Sequence, residues 1–270
     1  MTCLARPLAR CLRNPITAAR IAIPSFSSSS SLSSFFSKSS IRRASTAIPD
    51  THHAPPSPHP HSSSSTTPTN SSNTSLESQT DDLIARLPLV QSLRSNPSYK
   101  ESRPHRTMNP SLQPTHFVAG SLSGPGMVTV PPFMWMATEK HAANKTLTSR
   151  VVSIFHVGAQ LCGHPGFVHG GLLSVMFDEA FARCVSACFP SGLGMTANLN
   201  VDFRKPAMPD RVYVLRAETE TVEGRKAWVK GTLCSMPGQG EDGEPVLVAE
   251  AKALFVEPKF AESMVPLYRG

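Results

Sequence analysis

The sequence predicts an α+β fold in which an antiparallel β-sheet wraps around one long central helix, preceded by a disordered N-terminal extension. Three observations predict it. The stretch Gly170–Cys188, after its two opening glycines, reads LLSVMFDEAFARCVSAC without proline, apolar on nearly every side, as a helix buried all round does. Before it, Leu147–Val157 is β-rich and free of breakers. After it, Thr196–Phe203, Val212–Val222, Lys226–Ser235 and Val246–Val256 have strand lengths and are separated by KPAMPD, EGR and PGQGEDGEP, which carry turn chemistry. In the first of these, Thr196, Asn198, Asn200 and Asp202 alternate with Ala197, Leu199, Val201 and Phe203, a period of two. A buried helix followed by an antiparallel meander is the hotdog arrangement.

The N-terminus has a different character. The 270-residue chain holds 26 Lys+Arg against 19 Asp+Glu, a formal net charge of +7. Seven of the basic residues (Arg6, Arg10, Arg13, Arg20, Lys38, Arg42 and Arg43) precede Asp50, and no acidic residue does, so the rest of the chain is formally neutral. Arg6, Arg10 and Arg13 recur at helical spacing, with Leu4, Leu8 and Leu12 between them. An acid-free, Arg-bearing, Ser-rich segment is the composition of a mitochondrial transit peptide, expected over 1–43 and addressing the chain to the matrix. Pro7, Arg10, Arg13 and Pro15 break every candidate apolar core of a secretory signal. No run approaches the roughly 18 apolar residues of a transmembrane helix.

Residues 44–76 read as a Ser/Pro/Thr-rich linker that buries too little to offset ordering; His52, His53, His59 and His61 fall within it and are read as solvated. An N-terminal helical and loop extension is expected over 77–135. There Asp81 and Asp82 precede an amphipathic spacing of Leu83, Ile84, Leu87, Val90 and Leu93, divided by Pro88, and 120–132 reads as a loop. The globular domain is expected over 136–260, a normal single-core size. The six cysteines show no paired Cys-x-x-Cys spacing, so neither a disulfide framework nor a metal site is expected, and no cofactor. There is no P-loop, no dinucleotide fingerprint and no aromatic-plus-basic nucleic-acid pattern.

The strongest local signal is Val168-His169-Gly170-Gly171 opening the long helix, with Asp178 eight residues after Gly170. Glycines at a helix start permit close backbone approach and leave N–H groups aimed outward at the positive end of the dipole, where an oxyanion is stabilised. Asp178 is a carboxylate in an apolar helix, where burial raises the pKa and makes a competent base. The same local pattern equally suits a Gly-rich turn and an Asp paired to an arginine. His169 and Asp178 are nine steps apart, about 900° and roughly 13 Å of rise, so on one helix they face opposite sides. A homodimer, or a dimer of dimers, whose site joins the His-Gly-Gly of one chain to Asp178 of another is therefore expected.

VHGGLLSVMFDEA, GMTANLNVDFRKPAMPD and VEGRKAWVKGTL resemble, in this order, the blocks of the PaaI-type hotdog acyl-CoA thioesterases, most closely their mitochondrial long-chain members, over about residues 145–258. The resemblance implies that Asp178 activates water or attacks the thioester carbon, and that Gly170 supplies an oxyanion N–H in a pocket shaped by His169. It also implies that Thr196 orients the water or the carboxylate, and that Gly171 and Asn198 touch substrate. Many relatives carry an Asn or Gln a few residues before the His-Gly-Gly; here that region reads Gln160-Leu-Cys-Gly-His164-Pro-Gly, and His164 is either the candidate for that second polarising group or a solvent-facing loop histidine. Arg204-Lys205 and Arg225-Lys226, at strand–loop junctions, suit coenzyme A phosphates, or equally form a solvated basic rim. The activity implied is hydrolysis of medium- to long-chain fatty acyl-CoA. A non-catalytic hotdog module binding acyl-CoA or a protein is the alternative, and a hotdog dehydratase ranks last because no hydratase-type block is present.

Overall fold

A computed structural model describes residues 75–140, 147–238 and 240–265. The expected transit peptide, and the linker up to residue 74, lie outside the described residues. The described residues open on helix α1 (Leu76–Ala85), whose cap Ser75 and first residue fall inside the expected linker; Ser75 accepts the Ser78 N–H and caps it. Pro88 does not interrupt one helix; it opens a second, α2 (Pro88–Ser95), at the position where a missing N–H costs nothing.

One antiparallel sheet carries the fold. Its strands are β1 (Lys100–Ser102), β2 (Phe133–Lys140), β3 (Leu147–Val157), β6 (Met195–Phe203), β7 (Arg211–Glu223), β8 (Lys226–Ser235) and β9 (Val246–Val256), in the order β1-β2-β3-β7-β8-β9-β6. A short helix α3 (Pro104–Thr107) follows β1. A separate hairpin of β4 (Cys162–His164) and β5 (Phe167–Val168) leads into the long helix α4 (Gly170–Ser186). Strand β2 begins at Phe133, so the sheet crosses the boundary expected at 136, and β1 brings the extension itself into the sheet.

Period-two alternation divides the core in two. On β7, Tyr213, Leu215 and Ala217 face α4, together with Val151 and Phe155 of β3 and Phe177, Phe181 and Val185 of the helix. Val212 and Val214 face the other way, where Phe133, Trp135, Val152 and Ile154 meet Ile84, Val90 and Leu93 of α1 and α2. Each such aliphatic side chain contributes about 1.5–3 kcal/mol by leaving water. The extension is thus the second layer of the outer core.

Helix α4 departs from the expectation of burial all round. Leu172, Leu173, Met176, Phe177, Ala180, Phe181, Cys184 and Val185 are buried, whereas Ser174, Val175, Asp178, Glu179, Ala182 and Arg183 are half-buried. The sheet covers one side of the helix, and the polar side looks toward the edge strand β6 and the extension. Cys162, Cys184, Cys188 and Cys234 form no disulfide, and burial pushes Cys184 up to about 11.

Candidate active site

Asp178 sits in the middle of α4, half-buried, and Thr196 Oγ1 at the start of β6 donates to its Oδ1 at 2.5 Å. Burial raises the Asp178 carboxyl above the ordinary aspartate range, the Thr196 hydrogen bond opposes that, and the neighbouring Glu179 charge adds to it. The pairing depends on an irregularity. A strict period of two would turn Thr196 to the same face as Asn198, away from the helix. A β-bulge between Thr196 and Asn198 leaves Thr196 opposite Phe255, a core residue facing α4, while Asn198 lies opposite Leu254. The bulge re-aims the hydroxyl onto the carboxylate.

At the other end of the helix, His169 is the N-cap, and its Nδ1 accepts the Gly171 N–H at 2.9 Å. The neutral ring therefore carries its proton on Nε2. Of the two glycine N–H groups only that of Gly170 makes no hydrogen bond among the described residues. Gly170 lies against Phe203: a Cβ there would stand 3.3 Å from the ring. A cavity of about 290 Å³ opens at this point, lined by Gly170, Leu173, Phe167, Phe203, Arg204 and Lys205 among others. It is apolar on its walls and basic at its rim.

The remaining candidates are dispersed. Asp178 does not line that cavity. Asn198 is exposed and accepts from Asn200 Nδ2 at 2.5 Å. Arg204 is paired with Glu250 at 2.7 Å and Asp202 at 3.2 Å, which leaves Lys205 as the exposed cation beside it. Arg225 donates to the Glu257 carbonyl at 2.8 Å, and Lys226 is exposed next to it. Lys226 and Met195 both lie opposite Val256, so the Arg225 pair belongs to the Met195 end of β6 and the Arg204 pair to the Phe203 end, about 27 Å apart. One chain does not bring them together. His164 is exposed on the β4–β5 hairpin against Phe167, and Gln160 donates to the Pro125 carbonyl at 3.2 Å.

A group that sequence reasoning missed lies behind Asp178. His105, His116 and Glu179 place their ligand-type atoms within 4.8 Å of one another. Glu179 is next to Asp178 in the chain, but 74 residues separate it from His105 and no local spacing links them.

A sheet wrapped around one long helix is the hotdog fold, and here the helix carries a carboxylate in its middle and closely packed glycines at its start. Residues 165–240 match the family model of the Thioesterase superfamily. An uncharacterized protein of Schizosaccharomyces pombe is 33% identical over 175 residues, covering 65% of this chain and 91% of its own. A Candida albicans protein named as mitochondrial is 32% identical over 141 residues, 52% of this chain and 59% of its own. Rat acyl-coenzyme A thioesterase THEM4 is 39% identical over 108 residues, 40% of this chain and 43% of its own. The chain belongs to the thioesterase superfamily.

Proposed function

We propose that the protein hydrolyses medium- to long-chain fatty acyl-CoA to the free acid and coenzyme A, as a homodimer in the mitochondrial matrix. The observation that carries the reading is the half-buried Asp178 carboxylate held by the Thr196 hydroxyl. Asp178 takes a proton from water as the water oxygen bonds to the thioester carbon; the oxyanion collapses, the C–S bond breaks, and the coenzyme A sulfur takes that proton. In the other route Asp178 attacks the carbon itself, the C–S bond breaks with coenzyme A leaving as the thiolate, and water hydrolyses the resulting anhydride, freeing the acid and Asp178 while a water proton goes to the thiolate. Both need the ionised carboxylate, and both develop negative charge on the carbonyl oxygen, where the Gly170 N–H at the α4 N-terminus is suited to receive it.

Gly170 and Asp178 of one chain are eight residues, roughly 12 Å, apart along α4, too far to serve one carbonyl, and β6 suggests how a second copy supplies the missing half. It is an edge strand, with Met195 49% and Phe203 54% exposed. Antiparallel two-fold pairing of β6 with its copy sets the Thr196 end of one chain opposite the Phe203 end of the other. Asp178 then faces the Gly170 of the second copy, and the Arg225-Lys226 pair approaches the copy's Arg204-Lys205. Lys205 at the cavity rim suits a coenzyme A phosphate, and the apolar walls suit the acyl chain. The name of THEM4 supports the substrate class; the acid-free N-terminus and the relative named as mitochondrial support the compartment.

Steady-state hydrolysis of short-, medium- and long-chain acyl-CoA by the full chain tests the reading. Release of coenzyme A from medium and long chains, abolished by Asp178→Asn, is expected. An Asp178→Asn protein that turns over palmitoyl-CoA at the wild-type rate overturns it.

A further inference from the structure

Glu179 follows Asp178 on α4, about 100° further around the helix, and is turned to the N-terminal extension. There it meets two histidines. His105 Nε2 lies 3.3 Å from Glu179 Oε2, and His116 Nε2 lies 3.9 Å from Oε1. The two rings are 5.4 Å apart, and the His105 side chain is 3% exposed.

The extension is fixed where it delivers these rings. Immediately before α3, Arg103 pairs with Asp81 of α1 at 2.7 Å, donates through Nε to the Pro131 carbonyl at 3.1 Å, and stacks over Phe133 with its guanidinium carbon 3.8 Å from the ring centroid. His116 caps the π-helical turn Phe117–Ser121, its Nδ1 accepting the Ala119 N–H at 3.1 Å, and within that turn Val118 and Ala119 are buried.

Two imidazoles and a carboxylate are also metal-ligand types, and hydrogen bonding decides between the readings. Burial lowers the His116 pKa, Glu179 opposes that, and His105 adds to it, so the ring is neutral at neutral pH. With Nδ1 receiving an N–H, its proton is on Nε2, the atom a metal would need. His116 therefore turns an N–H, not a lone pair, toward Glu179, and His105, at hydrogen-bond distance, is the nearer partner of the carboxylate. The charged and titratable groups around Glu179 are Asp178 before it, Arg183 one turn along α4, and His105 and His116 from the extension.

We propose that His105 and His116 are positioning residues for thioester hydrolysis: they hold the Glu179 carboxylate on the extension side of α4 and offset part of its charge, and so set the pH at which Asp178 becomes reactive. The inference rests on the assignment of Asp178 made above. Its physical basis is that a neighbouring negative charge disfavours a second one, and that N–H groups aimed at a carboxylate weaken its field.

The test is the pH dependence of kcat/KM for the full chain, for Glu179→Gln, for His105→Ala/His116→Ala, and for the triple variant, with Tm measured alongside. Glu179→Gln moves the acidic limb to lower pH by about half a pH unit. The histidine pair moves it up, and does nothing once Glu179 is already Gln. Limbs that coincide in all four proteins, whatever happens to rate or Tm, overturn the proposal. Stoichiometric Zn²⁺ binding in equilibrium dialysis, lost in Glu179→Gln, overturns it in favour of a metal site. Should the histidine variant not fold, the half-buried Glu179→Gln carries the test alone. A wild-type protein without turnover, or one indifferent to Asp178→Asn, refutes the function instead; an active, Asp178-dependent enzyme with immobile limbs refutes only this inference.

Discussion

The Thr196 hydroxyl reaches across from the edge strand to donate to the Asp178 carboxylate at 2.5 Å, the one described hydrogen bond that opposes the rise of that carboxyl's pKa by burial. Thr196→Val removes the donor and keeps the shape. Burial then acts unopposed, the Asp178 pKa rises further, and the acidic limb of kcat/KM moves to higher pH, with a loss of about tenfold to a hundredfold at neutral pH. Thr196→Ser restores both. A limb that stays in place in Thr196→Val means that the hydroxyl does not govern Asp178.

The same burial makes Asp178 a liability for folding. Its carboxyl has a higher pKa folded than unfolded, so between the two values the native state binds the extra proton. Whatever stability this protonation supplies is present below the unfolded pKa and lost as pH rises through the folded one. At neutral pH Asp178→Asn is therefore expected to raise Tm while removing turnover, with the difference shrinking toward acid. Calorimetry of both proteins at pH 7 and pH 4 checks the sign; a lower Tm for the variant at pH 7 contradicts it.

If one site joins Gly170 of one chain to Asp178 of another, two dead proteins together make a live one. Gly170→Val crowds Phe203 and obstructs the N–H; Asp178→Asn removes the carboxylate. Subunits exchanged at random form heterodimers with one intact site each, and about a quarter of wild-type activity is recovered. Equal mixing after partial denaturation, followed by assay and light scattering, measures it. No recovery alongside demonstrated exchange places both groups in one chain.

The outer core predicts a separable effect. Ile84 of α1 is fully buried against the face of the sheet that points away from the cavity. Ile84→Ala is expected to cost about 2–5 kcal/mol in urea unfolding, with kcat/KM at 25 °C unchanged. An intact stability would mean that α1 does not belong to the cooperative unit.

How far this was legible from residues alone can be traced element by element. The helix α4 and the strands β7, β8 and β9 were readable within one or two residues at each end, because proline- and glycine-bearing turns bound them. Strands β1 and β2 were not anticipated. The apolar start of β2, Phe133–Ala137, is buried on both faces by α4 and by α1 and α2, so it shows no alternation to read. His169, Gly170 and Asp178 stood out through local pattern, whereas His105 and His116 gain their setting only when the chain returns from the outer layer to α4. The clean alternation read in β6 was itself misleading at its first residue, where the bulge turns Thr196 toward the helix.

That bulge means that the Thr196–Asp178 pair is specified by register as well as by residue identity. Removing Ala197 would straighten β6 and leave Thr196 next to Asn198, still opposite Phe255 and still turned to the helix. Ironing out the bulge with Ala197 kept would instead carry the hydroxyl to the far face with every side chain of the pair still present. A change that alters only the pairing could thus silence the candidate site while leaving an unbroken strand and an intact motif. Among relatives, the face on which the threonine pairs is therefore a sharper sign of a working Thr–Asp pair than the presence of either residue.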